Sequence, residues 1–422
     1  MTTPETNPTD VRMRGFESRV SVHDALTWLT SRISPLGNQC IPVLAAGGRV
    51  LAEPVESEFA VPGFVRSMMD GFAVRAADTL GASTYNRLNF TVIGEVLPGG
   101  RFGAVVGPRE AVRIMTGAPL PTGADAVLPA ERVEAVDDEQ IFAVDAVSPG
   151  RHVGSVGEDV QIGDRVLSAG RRLRPQDLGV LSSIGRAEVD VVARPAVRLI
   201  VTGNELLPSG SQPAGTQIVD ANSPMLAELV ERDGGICLFD GVTPDTPAAI
   251  RHSLTTSDAD VVLVSGGSSV GKEDYAPRLL SEVGELAIHG IAMRPSSPTG
   301  MGVIGDQLVF LLPGNPVSCL CAYDMFAGRA IRGLGGRPRS WPYRRVQLPL
   351  RRKLVSAVGR VDYARVAISD GQVEPLAVSG ASVLSSTSHA DGFVLTEEGS
   401  EGAPAGAVVD VWMYDAQPSE LE

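Results

Sequence analysis

From about residue 195 to 331 the chain repeats one unit: a short apolar run, a loop, then a segment of helical spacing. Apolar runs at 196–201, 236–242, 261–264, 287–293 and 308–312 read as strands. The stretches 224–232, 247–255, 275–283 and 317–331 read as helices. A strand apolar at consecutive positions is buried on both faces, and strands that alternate with helices demand right-handed crossovers. The pattern predicts a doubly wound, mostly parallel α/β sheet with helices on both faces.

The flanks differ. Before residue 195, short apolar runs at 72–74, 90–96, 111–114, 126–128 and 141–144 are broken by turn residues, and β character returns from about 343 to 414. With 47 Gly and 30 Pro, turns must be numerous. Two helices interrupt the front half. One spans 22–33, with Ser21 as N-cap and Asp24 in the first turn, and the other spans 175–183 with Pro175 at its first position. Residues 1–18 are polar, contain Pro4 and Pro8, and read as a disordered leader without the apolar core of a signal peptide. The expected layout is a leader at 1–18, a first domain at 19–56 with 164–194, and a β-rich second domain at 57–163. An α/β third domain at 195–335 and a β fourth domain at 340–416 complete it.

The formal charge of −14 argues against nucleic acid as the main partner, because a nucleic-acid surface needs a basic face. No run reaches the roughly 18 apolar residues of a membrane span, so a cytoplasmic protein is expected. Cys40, Cys237, Cys319 and Cys321 have neither metal-site nor disulfide spacing and read as buried free thiols. The Arg171-Arg172-Leu173-Arg174 run reads as a solvated turn.

Three loops follow predicted strands of the central region. They are Thr202-Gly203-Asn204-Glu205, then Ser265-Gly266-Gly267-Ser268-Ser269-Val270-Gly271, then Pro313-Gly314-Asn315-Pro316-Val317-Ser318. All stand at carboxyl ends of parallel strands, where open α/β sheets bind ligands. Glycine lets backbone N–H groups approach a ligand closely, and the serines add hydroxyl donors, which together suit a phosphate or another oxyanion. Residues 266–272 also match a phosphate loop, but Glu273 stands where Ser or Thr would bind Mg²⁺. Glu205, Asp220, Asp245 and Asp274 lie near the loops, and Asp70 lies in the front half. Carboxylates facing an anion-binding loop make sense as magnesium ligands, although Asp245 equally fits an N-cap for helix 247–255.

Taken together, these segments resemble the MoeA and gephyrin E-domain family of molybdopterin molybdenumtransferases. Ser67-Met68-Met69-Asp70-Gly71-Phe72-Ala73-Val74 resembles its S-x-M-D-G-[YF]-A-[VL] signature. Arg113-Ile114-Met115-Thr116-Gly117-Ala118-Pro119 resembles R-I-[MF]-T-G-A-P. Gly157-Glu158-Asp159, Gln217-Ile218-Val219-Asp220-Ala221-Asn222, the stretch from Ser265 to Tyr275 and the Pro313 loop match further family elements in order, over roughly residues 20 to 400.

The resemblance implies a multidomain α/β-plus-β protein. A central MogA-like α/β domain sits between β-rich front domains and a C-terminal β-barrel-like domain. It implies a homodimer with shared active sites, fed by a molybdopterin adenylyltransferase. Molybdate would be transferred to adenylylated molybdopterin, with magnesium-dependent release of AMP. Glu205, Asp245 and Asp274 would hold Mg²⁺ or serve the cleavage, and Asp70 and Thr116 would reach across the dimer. Substrate contacts would fall to Ser265, Gly266, Gly267, Ser268, Ser269, Gly271, Arg294, Pro313, Gly314, Asn315, Pro316, Ser318 and Arg365.

The chain departs from that pattern at a few positions. The family's K-P-G-K-P reads Arg294-Pro295-Ser296-Ser297-Pro298, Gly290 stands where a further lysine is usual, and Ala381 interrupts a G-S-G-like element. Each lost charge-assisted contact is worth about 1.5–3 kcal/mol. A catalytically weakened paralogue acting as a dimeric pterin-binding or scaffold protein is therefore the alternative expectation, with an insertase for tungsten beside it because the sequence does not distinguish two such similar oxyanions.

Overall fold

The computed structural model describes residues 19–256, 258–267, 274–377 and 383–415. They fall into two compact units, one from residues up to Gln39 with those from Val192 onward, the other Cys40–Val191.

In the first unit a seven-stranded sheet has the order Ile236–Leu238, Ala196–Thr202, Val261–Ser265, Gln307–Leu312, Gly300–Ile304, Glu285–His289, and Val242–Thr243 also pairs with Ala196–Thr202. The first four strands run parallel, with Leu199 opposite Leu263 and Leu263 opposite Phe310. The last two are antiparallel. Alternate side chains enter opposite layers, as a pleated strand requires. On one face Val197, Leu199, Leu263 and Phe310 pack with Leu226 and Val230 of helix Asn222–Asp233 and with the chain from Pro316 to Leu334. On the other, Ile200, Val262, Val264 and Val309 pack with Ile250 and Leu254 of helix Pro247–Thr255 and Leu279 and Leu280 of helix Ala276–Val283. That two-sided burial is the doubly wound arrangement expected from the apolar runs.

Two apolar runs divide. The 236–242 run forms Ile236–Leu238 and Val242–Thr243, separated by Phe239, Asp240 and Gly241. In the 287–293 run, Gly290 adopts φ +92° and redirects the chain, so Glu285–His289 stays in the central sheet while Met293–Arg294 joins a second one. That second sheet runs Met293–Arg294, Val361–Ser369, Gly392–Thr396, Val408–Met413, Arg344–Pro349.

A buried polar network joins the two sheets. The predicted helix 317–331 is one continuous stretch whose middle, Tyr323–Ala327, widens to π geometry. Asp324 lies in that wide turn, fully buried, and accepts from Arg232 at 3.2 Å, Tyr343 at 3.0 Å and Tyr363 at 3.3 Å. Burial pushes its carboxyl up, against the pull of Arg232. Beside it Asp233 pairs with Arg332 at 2.9 Å and accepts from Tyr323 at 3.1 Å.

Helix Val22–Thr30 has the expected Ser21 cap, accepting from the Asp24 N–H, and stops three residues short of the predicted end at 33. In the second unit a six-stranded sheet runs Ala126–Pro129, Gly71–Val74, Glu110–Ile114, Leu88–Val96, Gln140–Ala143, Val133–Ala135. Helix Pro175–Ser183 has the predicted bounds. The arginine run before it is solvated at Arg172 and Arg174, as expected, and also braces the helix. Arg171 grips Asp177 with two hydrogen bonds of 2.9 and 2.8 Å, and Arg174 joins it. The cysteines are free, but only Cys319 and Cys321 are buried. Cys40 is exposed and Cys237 half-buried, because each sits on a short strand with a less covered face. Among the described residues no helix is long and apolar enough to cross a membrane.

The two-sided core assigns different weights to centre and edge. Leu263→Ala, at a fully buried position, is expected to lower unfolding free energy by about 2–5 kcal/mol. Ile236→Ala, at an edge position 41% exposed, should cost under about 1 kcal/mol. Urea unfolding followed by circular dichroism checks the contrast.

Candidate functional site

The parallel register puts the ends of three strands side by side, with Val201 opposite Ser265 and Ser265 opposite Leu312. The loops that follow them line one cavity of about 630 Å³. Its wall includes Thr202, Gly203 and Glu205 from the first loop, Ser265, Gly266, Gly267 and Asp274 around the second, and Pro313, Gly314, Asn315 and Pro316 from the third. Asp220, Asn222 and Asp245 complete its polar lining. Glu205, Asp274 and Asn315 therefore share one cavity.

Close packing holds the loops in place. Gly266 has φ +99°, and a Cβ there would stand 2.3 Å from the Thr202 carbonyl oxygen, so only glycine fits. The Asn222 amide donates to Ser265 Oγ at 2.9 Å and to the Gly314 carbonyl at 2.8 Å, tying the second loop to the third. A carbonyl only accepts, which fixes the amide's orientation and leaves Asn222 Oδ1 as a buried acceptor without a protein partner. Ser265 is itself buried and its hydroxyl also lies 3.7 Å from the Cys319 thiol, so it braces the loop. Asp220 accepts from the N–H groups of Asn222 at 2.9 Å and Ser223 at 3.2 Å, capping their helix. Asp245 does not cap helix Pro247–Thr255; Thr246 does, and Asp245 instead accepts from the Thr202 hydroxyl at 3.0 Å.

Four carboxylates, those of Glu205, Asp220, Asp245 and Asp274, line this cavity with no cationic side chain among its described residues. Hard oxygen donors of this kind suit Mg²⁺. Among the described residues no three His, Cys, Asp or Glu side chains are grouped as a metal-ion site. A magnesium ion typically takes one or two carboxylates and completes its shell with water and substrate phosphate, so this arrangement fits an ion that arrives with substrate.

A second cavity, about 580 Å³, shares Pro298, Pro313 and Asn315 with the first. Its charge is opposite: Arg19, Arg294 and Arg360 line it, and no carboxylate does. The strand register that sets Arg294 opposite Asp362 also makes their two-bond ion pair, and Arg360 lies 3.4 Å from the same fully buried carboxylate. Ser318 belongs to this second cavity. Arg365 lines neither; it is wholly buried in strand Val361–Ser369. His289 lines neither cavity.

Sequence reasoning passed over Asn222, Arg360 and Arg19. Asn222 stood in a motif without a stated role, Arg360 stands five residues before the arginine that was singled out, and Arg19 carries no local signal. Ser268, Ser269 and Gly271, with Lys272, Glu273 and Ala381, lie outside the described residues. In the second unit Asp70 and Thr116 are brought together: the Thr116 N–H and hydroxyl each donate to Asp70 Oδ1 at 2.7 Å.

Three family models match in succession between residues 20 and 414. Residues 20–185 match the family model described as MoeA N-terminal region (domain I and II). Residues 198–332 match "Probable molybdopterin binding domain", and 347–414 match MoeA C-terminal region (domain IV). A molybdopterin molybdenumtransferase from Haemophilus influenzae is 32% identical, over 89% of this chain and 94% of its own length. The chain belongs to the MoeA family. A second molybdopterin molybdenumtransferase, from Staphylococcus aureus, is 30% identical over 96% of this chain and 97% of its own. A crystal structure of the molybdopterin biosynthesis MoeA protein from Pyrococcus horikoshii superposes with a TM-score of 0.80 at 34% identity, covering 95% of this chain and all of that one. Another from the same organism gives 0.77 at 31% identity, covering 94% of this chain and all of that one.

The Asp70–Thr116 contact has a measurable signature. The Thr116 backbone N–H, with its hydroxyl second, holds the Asp70 carboxyl below the usual carboxylate range. Thr116→Val removes the hydroxyl and keeps the N–H, so the Asp70 titration midpoint should rise part of the way back. Carboxyl-carbon NMR against pH reads it, and an unmoved midpoint would sink the assignment.

Proposed function

We propose that this MoeA-family chain is a molybdenum insertase, an enzyme of molybdenum cofactor biosynthesis that transfers molybdate to molybdopterin-AMP and releases AMP. One observation carries the reading: two cavities of opposite charge adjoin at the ends of the parallel strands and share Pro298, Pro313 and Asn315. An adenylylated, phosphorylated substrate would meet repulsion from four carboxylates alone, so the acidic cavity calls for a divalent cation. Magnesium, when bound, neutralises phosphate charge and polarises the phosphorus centre being cleaved.

The chain's own groups then have distinct tasks. Asp274 and Glu205 hold the cation side from opposite loops, and Thr202 orients Asp245 through its 3.0 Å hydrogen bond. The Asn222 amide keeps the second and third loops together. The arginine cavity holds an oxyanion. We place the protein in the cytoplasm as a homodimer in which the partner subunit's Asp70 and Thr116 contribute to the site. A molybdopterin adenylyltransferase would deliver the substrate.

The weakened-paralogue reading draws support from Gly290 and Ser297, but three arginines around the second cavity count against a stripped anion site. Tungstate has the same charge and shape as molybdate, so a tungsten insertase needs the same residues.

Purified protein with Mg²⁺, molybdopterin-AMP and either molybdate or tungstate should release AMP and yield cofactor that reconstitutes an apo-enzyme. Absence of AMP release with both oxyanions would overturn the proposal. Asp274→Asn should lower turnover by about 10²–10³-fold while leaving the circular dichroism spectrum unchanged. Normal turnover in that variant would remove Asp274 from the mechanism.

A further inference from the structure

We infer that Arg19 is a substrate-oxyanion ligand that stands in, from the other end of the chain, for the cationic side chain absent at position 297. The inference rests on the reading of the arginine cavity as an oxyanion site and names a further residue of that site.

Arg19 Nε donates to Ser297 Oγ at 2.6 Å across 278 residues of sequence, and both line the second cavity. The segment that carries Arg19 is fixed. Val20 forms a parallel bridge with Ile291, its N–H donating to the Gly290 carbonyl at 3.0 Å and its carbonyl accepting from Ala292 at 2.8 Å. Ser21 then caps helix Val22–Thr30. Arg19 is thus clamped at the backbone by Val20, one residue on, and at the side chain by Ser297.

The charge count explains why the residue matters. Arg294 and Arg360 share one buried carboxylate, Asp362, which also accepts from the Ser356 hydroxyl at 2.6 Å. Two guanidinium groups thus share one carboxylate, and Arg19 brings a third guanidinium to the wall of the same cavity. A lysine at position 290 would be strained, because Gly290 sits at φ +92°. A guanidinium carries five N–H donors in a planar fork, so binding Ser297 through Nε is compatible with a forked grip on a tetrahedral oxyanion. Ser297 is then an anchor: its short hydroxyl leaves room for the guanidinium and receives one of its hydrogen bonds.

A tetrahedral oxyanion at this place has two sources, free molybdate or a phosphate of the pterin substrate. The experiment separates them. Wild type, Arg19→Met, Arg19→Ala/Ser297→Lys and Ser297→Ala are compared as full-length protein, by calorimetric titration with sodium molybdate and by KM for molybdate and for molybdopterin-AMP in the AMP-release assay. Arg19→Met keeps the apolar stem and removes the charge.

The expected result is a rise of about 10- to 100-fold in one KM in Arg19→Met, with kcat changed less. A rise for molybdate, matched by weaker calorimetric binding, assigns the free oxyanion; a rise for molybdopterin-AMP assigns the phosphate. The charge-relocated double variant should recover most of the loss, and Ser297→Ala should show a smaller one. Unchanged KM values and unchanged molybdate binding in Arg19→Met overturn the inference, as does a double variant no better than the single one. If wild type releases no AMP, the insertase reading fails. Weaker molybdate binding by Arg19→Met than by wild type would then still support Arg19 as an oxyanion ligand, and equal or undetectable binding by both would overturn it.

Discussion

The parallel register of three strands is the constraint on which the rest depends. Because Ala196–Thr202, Val261–Ser265 and Gln307–Leu312 end in step, the loops after them cannot avoid one another. Contact between them is then set by atoms too small to miss: Gly266 against the Thr202 carbonyl, and the Asn222 amide spanning Ser265 and Gly314. The register in turn is held by burial on both faces, since a strand slipped by one residue would exchange Leu263 and Val264 between two layers packed by different helices.

Much of this was legible in the sequence. The apolar runs of the central region lack alternation, and only two-sided burial explains that, so the doubly wound sheet and the loop-lined edge followed directly. Helices 175–183 and 247–255 could be bounded to the residue because Pro175 and Pro247 mark first turns. What failed was governed by tertiary partners. The 287–293 run looked like one strand, yet Gly290 divides it between two sheets. Strand Gly300–Ile304 was missed, since two glycines mask its pattern.

The site divides the same way. Carboxylates and glycines near strand ends were visible because spacing along the chain is enough to place them. Arg19 and Arg360 were not, because each is tied to a neighbour remote in sequence or buried from view: Ser297 for the first, Asp362 for the second. Arg365, named for its match to a family arginine, lies wholly enclosed and on the wall of neither cavity.

The π-widened turn at Tyr323–Ala327 has a mechanical consequence. By swinging Asp324 inward it lets one carboxylate bind Arg232 beneath the central sheet and tyrosines of the C-terminal sheet at once. The same helical stretch begins at Pro316, on the rim of the acidic cavity, and the strand that carries Tyr363 begins beside Arg360, on the rim of the basic one. The rims of the two charged chambers are thus joined, along continuous chain, to one and the same buried carboxylate.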